Sequence, residues 1–288
     1  MTQVAAERAD PLTVAAALHT AAGALRQAGI PSARLEARLL LCHVLGIDMA
    51  MAIGHPERRL DAAGQVGFEA LVLERSRRRP LAQILGEREF WSLRFHVTSD
   101  VLVPRPESET LVEAVLDRVR DRSRPVRIVD LGTGSGCLLL ALLSELPAAS
   151  GVGVDRSWPA LRVAQDNANR LGLARRAQFV QGDWTAPFTG RFDVIVANPP
   201  YIPTDVLATL EPEVARYEPR QALDGGADGL AAYRALIPGS AAILGDHGMV
   251  AVEVGAGQAE AVAVLMRDHG LTGTATRADL AGVPRCVT

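Results

Sequence analysis

Val126-Arg127-Ile128-Val129-Asp130-Leu131 runs without a break into Gly132-Thr133-Gly134-Ser135-Gly136, and then into Cys137-Leu138-Leu139-Leu140-Ala141-Leu142-Leu143. The first six residues read as a buried strand, and the last seven read as a buried helix. Between them the glycines let the backbone approach a ligand closely, and the helix N-terminus turns its N–H groups outward. A dinucleotide loop, G-x-G-x-x-G/A, needs Gly or Ala at position 137, where this chain has Cys. The spacing is instead Asp-x-Gly-x-Gly-x-Gly, counted from Asp130. Strand, loop and helix in this order predict an open α/β sheet that binds its ligand at the carboxyl ends of the strands. A tight turn between two core elements has the same local pattern, so the reading needs support further along the chain.

That support comes in order. Gly151-Val152-Gly153-Val154 is strand-like and ends at Asp155, about twenty residues past the loop, where α/β nucleotide sites hold the ribose hydroxyls. Asp155 is equally placed to cap the next helix. Ala177-Gln178-Phe179-Val180-Gln181 leads into Gly182-Asp183-Trp184, and Phe192-Asp193-Val194-Ile195-Val196-Ala197 leads into Asn198-Pro199-Pro200-Tyr201. Each proline steers the residue before it away from the helical region, so this last segment leaves the sheet extended and stiff. Asn198 then puts an amide acceptor and an amide donor at the ligand edge. The proline carbonyls add acceptors, and Tyr201 adds a flat wall. Such a set suits a planar NH2 group; a proline-rich turn with a capping Asn is the plain alternative.

Taken together, these motifs resemble those of class I S-adenosylmethionine-dependent methyltransferases. The resemblance implies S-adenosylmethionine as cofactor, with Gly132, Thr133, Gly134, Ser135 and Gly136 against its methionine part. It implies Asp155 on the ribose, Asp183 and Trp184 beside the adenine, and Asn198 near the reacting end. For Trp184 the alternative is an anchor in the core.

Composition narrows the field. The chain has 288 residues and a net charge of −3, without the basic excess of a DNA-binding protein. All of its basic charge is Arg. Cys42, Cys137 and Cys286 are odd in number and far apart, which indicates neither a disulfide framework nor a Cys-rich zinc site, and the six His show no ligand spacing. No metal and no membrane are expected, and a reduced cytoplasm is the simplest compartment. The Ala-rich run from Val14 to Leu25 follows Glu7 and Asp10, where a signal segment carries positive charge, and it is too short to span a bilayer.

The first eighty or so residues read as helices. Asp10-Pro11 suits a helix start and Gly29 a stop; Ser32 suits a second cap, with Leu35, Leu39 and Val44 as its apolar face toward Gly46. Asp61 starts a third helix, expected to run to Arg79. Arg75, Arg77, Arg78 and Arg79 at its end complement the helix dipole or, alternatively, meet an acidic partner. From Glu87 to Val103 the pattern becomes strand-like and predicts a hairpin joining two domains. Gly248 to Val254 reads as a further strand, and the segment with Arg277 and Arg285 is expected to close the sheet antiparallel.

Nearly the whole chain resembles the protein-(glutamine-N5) methyltransferases of the HemK/PrmC family. The resemblance rests on Pro80 to Trp91, Val101 to Glu109, the glycine loop, Asn-Pro-Pro-Tyr, Tyr217-Glu218-Pro219-Arg220 and Leu223 to Leu230. It implies a Rossmann-like, mostly parallel sheet with an antiparallel last strand, preceded by a small helical domain. The expected organisation is a substrate-docking helical domain over 1–86, a hairpin linker over 87–104 and the methyltransferase domain over 105–288. It further implies methylation of the glutamine side-chain nitrogen in the Gly-Gly-Gln motif of class I peptide chain release factors, with no direct nucleic-acid contact. Asn198, Pro199 and Tyr201 would be the catalytic residues, and Asn198, Pro199, Pro200 and Tyr201 the substrate-binding ones. Three alternatives remain at this point: a ribosomal-protein glutamine methyltransferase, an adenine-N6 nucleic-acid methyltransferase, and a non-catalytic module that binds the translation machinery, which would tolerate loss of Asn198 or of the glycines, all of them intact here. Arg105-Pro106-Glu107 favours the release-factor type, and Ser108 stands where the family usually has Thr.

Overall fold

In the computed structural model, which describes residues 12–288, the chain divides into two units, one ending at Leu85 and one beginning at Gly86. The first unit is helical: α1 (Val14–Gln27), α2 (Ala33–Leu45), α3 (Met49–Gly54), α4 (Ala62–Ser76) and α5 (Leu81–Leu85). Small residues allow close helix packing here. Ala17, Ala21, Ala37, Leu25, Leu40 and Phe68 form the buried centre. The start expected at Asp10-Pro11 lies outside the described residues, and α1 is capped by Thr13, whose side chain accepts from the Ala16 N–H. Asp61 caps α4 as expected, through the Gly64 N–H at 2.7 Å. That helix stops at Ser76, three residues before Arg79, and Arg78 takes a left-handed conformation with φ 71°.

The expected face of α2 is corrected. Leu35 is exposed, and the buried face of α2 is Ala33, Glu36, Ala37, Leu40 and Leu41. Glu36 occupies that face because Arg75 reaches it, Nε to Oε2 at 2.5 Å, while Ser32 donates to its other oxygen at 2.7 Å. The arginine cluster is also largely engaged inside the unit. Arg75 is buried and donates to the Arg79 carbonyl, Arg78 donates to the Ala28 carbonyl, and Arg77 and Arg79 both reach Glu74.

The second unit opens with the hairpin β1 (Glu87–Phe90) and β2 (Leu93–His96). Its two turn residues, Trp91 and Ser92, both have positive φ, 52° and 57°, the requirement of a tight primed turn. Side chains hold this costly geometry: Glu109 accepts from the Trp91 N–H at 2.7 Å and Glu145 from its indole N–H at 2.9 Å. Phe90 and Phe95 are buried in the main core of this unit and meet edge to face.

After the hairpin, strands and helices alternate: α6 (Glu109–Arg118), β3 (Arg127–Leu131), α7 (Cys137–Glu145), β4 (Ser150–Asp155), α8 (Trp158–Arg170), β5 (Ala177–Gln181) and β6 (Phe192–Ala197). Then come α9 (Pro212–Tyr217), α10 (Ala231–Ile243), β7 (Leu244–Glu253), α11 (Ala259–Asp268), β8 (Thr276–Ala278) and β9 (Pro284–Val287). The seven-stranded sheet has the order β5-β4-β3-β6-β7-β9-β8, parallel except that β9, the last strand, runs antiparallel to both neighbours. Both faces are buried, as a sheet of this kind demands. Ile128, Val194 and Val196 point to the side of α6 and α7, whereas Val129, Ile195 and Ala197 point to the side of α10 and α11, with the period of two of a strand.

The strand order reverses at β3, whose neighbours are β4 on one side and β6 on the other. This is the switch point at which open α/β sheets bind ligands. The register places Leu131 beside Ala197, so the glycine loop and Asn198 leave the sheet side by side.

Candidate active site

The glycine loop is held by the strand next to it. Val154 accepts from the N–H groups of Gly132 and Thr133 at 2.8 and 2.9 Å. Gly132, Gly134 and Gly136 all have positive φ, 75°, 53° and 81°, so the loop coils in a way that L-residues resist. Asp155 accepts from the Gly134 N–H at 2.9 Å through one oxygen and from the Ser157 N–H at 2.9 Å through the other. Asp155 is therefore not the cap of α8. That role falls to Ser157, whose side chain accepts from the Ala160 N–H. Beneath the loop lies Asp130, buried, with one oxygen accepting from the Thr133 hydroxyl at 2.7 Å and Oδ1 without a partner. Burial pushes its carboxyl up to about 7, and the nearby Asp155 charge adds to the shift.

The loop borders a cavity of about 400 Å³, lined also by Asp155, Asp183, Trp184, Asn198 and Pro200. That size is within the range of small-molecule sites. Trp184 packs on the core and on the loop at once: a Cβ built on Gly132 would stand 3.4 Å from its ring. The two readings of this residue, anchor and wall, are thus compatible. Asp183 is exposed and ion-paired to Arg156 at 3.1 Å. Asn167 was not foreseen. It is fully buried and donates to the carbonyls of Ser135 and His96 while accepting from the His96 N–H, which ties the hairpin to the loop.

Asn198 lies between this cavity and a second one of about 340 Å³; Leu102, Arg105 and Ala222 also line both. The second cavity adds Glu107, Tyr201, Glu253 and Arg285. Pro200 lines the first cavity and Tyr201 the second, whereas Pro199 is buried and lines neither. The Asn198 Nδ2 donates to the Ser108 hydroxyl at 3.0 Å, and Ser108 donates in turn to Glu253 at 2.5 Å. The Tyr201 hydroxyl donates to the other oxygen of Glu253 at 3.2 Å. Burial holds the Glu253 carboxyl above its ordinary value, and burial and the Glu253 charge raise the Tyr201 phenol.

Remote residues also shape the segment after Asn198. Gln258 donates to the Tyr201 carbonyl at 2.9 Å, and Ile202 exchanges backbone hydrogen bonds with the Leu223–Gly225 segment. The backbone at Gly229 passes so close that a Cβ there would stand 2.4 Å from the Tyr201 carbonyl oxygen. Arg105 and Glu218 meet through two hydrogen bonds, 2.7 and 2.8 Å, with the Glu218 side chain almost fully buried. This pair joins two of the segments that were informative in sequence, Arg105-Pro106-Glu107 and Tyr217 to Arg220. No cluster of His, Cys, Asp and Glu suited to a metal ion occurs among the described residues, and no helix among them is long and apolar enough to cross a membrane.

Known proteins share both parts of the chain. A family model described as the PrmC N-terminal domain matches residues 16–86, and one described as the methyltransferase small domain matches residues 107–210. The release factor glutamine methyltransferase of Rhodospirillum rubrum is 48% identical over 91% of this chain and 80% of its own length. The release factor glutamine methyltransferase of Caulobacter vibrioides is 43% identical over 96% of each. Among solved structures, the hMettl16 catalytic domain in complex with MAT2A 3'UTR hairpin 6 matches with a TM-score of 0.56 at 16% identity, over 75% of this chain and 80% of that one. At such low identity the likeness concerns the fold alone.

Proposed function

We infer the reaction from the family: this chain belongs to the release factor glutamine methyltransferases, and it methylates a glutamine of a release factor with S-adenosylmethionine as donor. The observation that carries the reading at the level of residues is the position of Asn198 at the junction of two cavities. The first cavity fits the cofactor. Its floor is a loop coiled by glycines, its rim carries the carboxylates of Asp155 and Asp183, Trp184 gives it a flat wall, and a buried carboxylate oxygen without a partner lies beneath it. Gly132 to Gly136, Asp155, Asp183 and Trp184 would hold the cofactor there. When bound, it supplies a methyl group on a sulfonium, which is electrophilic enough to need no metal.

The second cavity would take the glutamine. An amide nitrogen is a weak nucleophile because its lone pair is delocalised into the carbonyl. The chain's task is to align the nitrogen with the methyl group and to stabilise the positive charge that grows on it. With Nδ2 engaged by Ser108, the Asn198 side chain offers Oδ1 as an acceptor for one amide hydrogen. The Pro199 carbonyl is the second acceptor in this reading, and Tyr201 packs beside the amide plane. Accepting both hydrogens aims the lone pair and favours its leaving conjugation.

The substrate motif is proposed as Gly-Gly-Gln of class I release factors. Glycines beside the target have no side chains to clash, so the glutamine reaches a recessed site. A motif so short offers little area, and the helical unit would supply a second contact with the folded factor. The test incubates the protein with labelled S-adenosylmethionine and either a class I release factor or a ribosomal protein, and maps the modified residue by mass spectrometry. Label on the glutamine of Gly-Gly-Gln is expected. Label on the ribosomal protein alone would refute the proposed substrate.

A further inference from the structure

We propose that Glu253 is a positioning residue for methyl transfer, acting through Ser108 to hold the Asn198 amide with its oxygen, and not its nitrogen, toward the acceptor. The inference rests on the reading of Asn198 as the amide clamp. The two ends of an Asn amide have nearly the same size, and a half-turn about the last side-chain bond exchanges an acceptor for a donor. A clamp that must accept hydrogens from the substrate needs something to forbid that half-turn.

The hydrogen-bond chain supplies the prohibition. An ionised carboxylate only accepts, so Ser108, at 2.5 Å from Glu253, must donate its single hydroxyl hydrogen there. Only lone pairs of Ser108 then remain for Asn198, which has to present Nδ2, the 3.0 Å contact observed. Glu253 and Ser108 are 1% and 2% exposed, so bulk water cannot take over either role. The other Glu253 oxygen accepts from Tyr201, so one carboxylate orients both the clamp and the wall beside it. The backbone at Glu253 is held as well, its carbonyl accepting from the Tyr233 hydroxyl at 2.8 Å.

Protonation of Glu253 removes the prohibition. With the proton on Oε2 the acid donates to Ser108, Ser108 is free to donate to the Asn198 oxygen, and Nδ2 then faces the substrate hydrogens. Burial raises the Glu253 carboxyl above the ordinary range, which brings this reversal toward working pH. The other groups around it are Arg285 and Cys286 on β9, Glu107, Tyr201, Tyr233 and Cys137. Both phenols and both thiols are raised and stay neutral through the acid range. Glu107 is the other carboxylate, and a variant of Glu253 itself separates the two.

The experiment measures kcat at saturating cofactor and release factor for the wild type, Ser108→Ala, Ser108→Thr, Glu253→Gln, Asn198→Ala and the double variant Asn198→Ala with Ser108→Ala. Cofactor affinity and melting temperature are followed alongside. Ser108→Ala is expected to lower kcat roughly tenfold or more with cofactor affinity unchanged, the scale of a misplaced catalytic group. Ser108→Thr keeps the hydroxyl and should restore kcat to within a few-fold of wild type. In the Asn198→Ala background Ser108→Ala should have no further effect, because its partner is gone. The wild-type kcat should fall with acid, and Glu253→Gln should remove that limb. Equal effects of Ser108→Ala with and without Asn198, or an acid limb that survives Glu253→Gln, would overturn the proposal. If Asn198→Ala leaves kcat intact, the clamp itself is wrong and the inference falls with it. If only Ser108→Ala is silent, the clamp stands and the inference alone fails.

Discussion

The glycine loop after β3 and the Asn-Pro-Pro-Tyr segment after β6 leave neighbouring strands, yet they hold their shapes in different ways. The glycine loop is braced from close by in the sequence. Most of its hydrogen bonds come from Val154, Asp155 and Asp130, with Asn167 of α8 adding one at Ser135, and its coil needs only residues that tolerate positive φ. The Asn198 segment is stiff by itself because of its two prolines, but its functional atoms are oriented from afar. Ser108 is 90 residues away, Glu253 52 residues from Tyr201, and Gln258 57 residues from the same tyrosine. The lesson is that a ligand cradle made of backbone is encoded locally, whereas an amide clamp needs the whole domain to be folded. Substitutions in the first region should therefore act on cofactor affinity, and those in the second on turnover.

The largest expected effect is at the clamp. Asn198→Ala should lower kcat by roughly 10²–10³, the range for losing one preorganised contact, while calorimetry finds cofactor affinity changed only a few-fold. A kcat within a few-fold of wild type would break the comparison. Next comes Gly229→Ala, which touches neither cavity. Its Cβ would collide with the Tyr201 carbonyl, so steady-state kinetics should show kcat down by about 10², with cofactor affinity preserved. If affinity and turnover fell together, the second region would not be separable from the first.

Asp155→Ala tests the other side. Losing charged hydrogen bonds should cost about 1.5–3 kcal/mol of cofactor binding, read by calorimetry, with kcat at saturation little altered. Unchanged affinity would remove Asp155 from the cofactor site. Gly134→Ala should have a smaller effect. A Cβ there meets nothing within 4 Å, so only the left-handed backbone is strained, by about 1–2 kcal/mol. A loss of affinity beyond about thirtyfold would mean that the backbone N–H at 134 contributes more than its shape.

The smallest effect on function concerns pH, and it is read as stability in the protein without cofactor. Asp130, held at about 7 in the fold, keeps its proton in the range where the unfolded chain has already lost it. Between about pH 4, the ordinary Asp value, and pH 7 the native state thus binds more protons, so stability falls as pH rises and levels off above 7. Denaturant titrations at pH 5 and pH 7.5 should show a drop for the wild type that Asp130→Asn reduces. Parallel drops in the two proteins would show that Asp130 is not its source.

The sequence carried much of this structure in plain form. β5 and β6 begin and end at the residues their apolar runs indicate, and the hairpin, the glycine loop and the antiparallel last strand are present. Misreadings arose where a tertiary contact overrode a local rule. The face of α2 was misplaced because Glu36, a residue expected in water, is buried with Arg75 from another helix. The end of α4 was placed too late because Arg77, Arg78 and Arg79 are good helix formers, yet Arg78 turns left-handed and donates to the Ala28 carbonyl. The arginines at the end of α4 have internal acceptors, which composition alone does not reveal.

What the chain determined by itself was the order of its elements, the coil of the glycine loop and the presence of an amide at the end of β6. These depend on alternation of apolar residues, on glycine's freedom in φ and on proline's lack of it, all of which act between near neighbours. Only the tertiary structure decided that Ser108 and Glu253, 145 residues apart, would meet and set the direction of that amide, and that Arg105 would find Glu218 across 113 residues. The physical reason is the hydrogen bond itself. It is short, directional and, when buried, exacting about which atom faces which, and no spacing along a chain specifies a contact of that kind before the sheet brings its ends together.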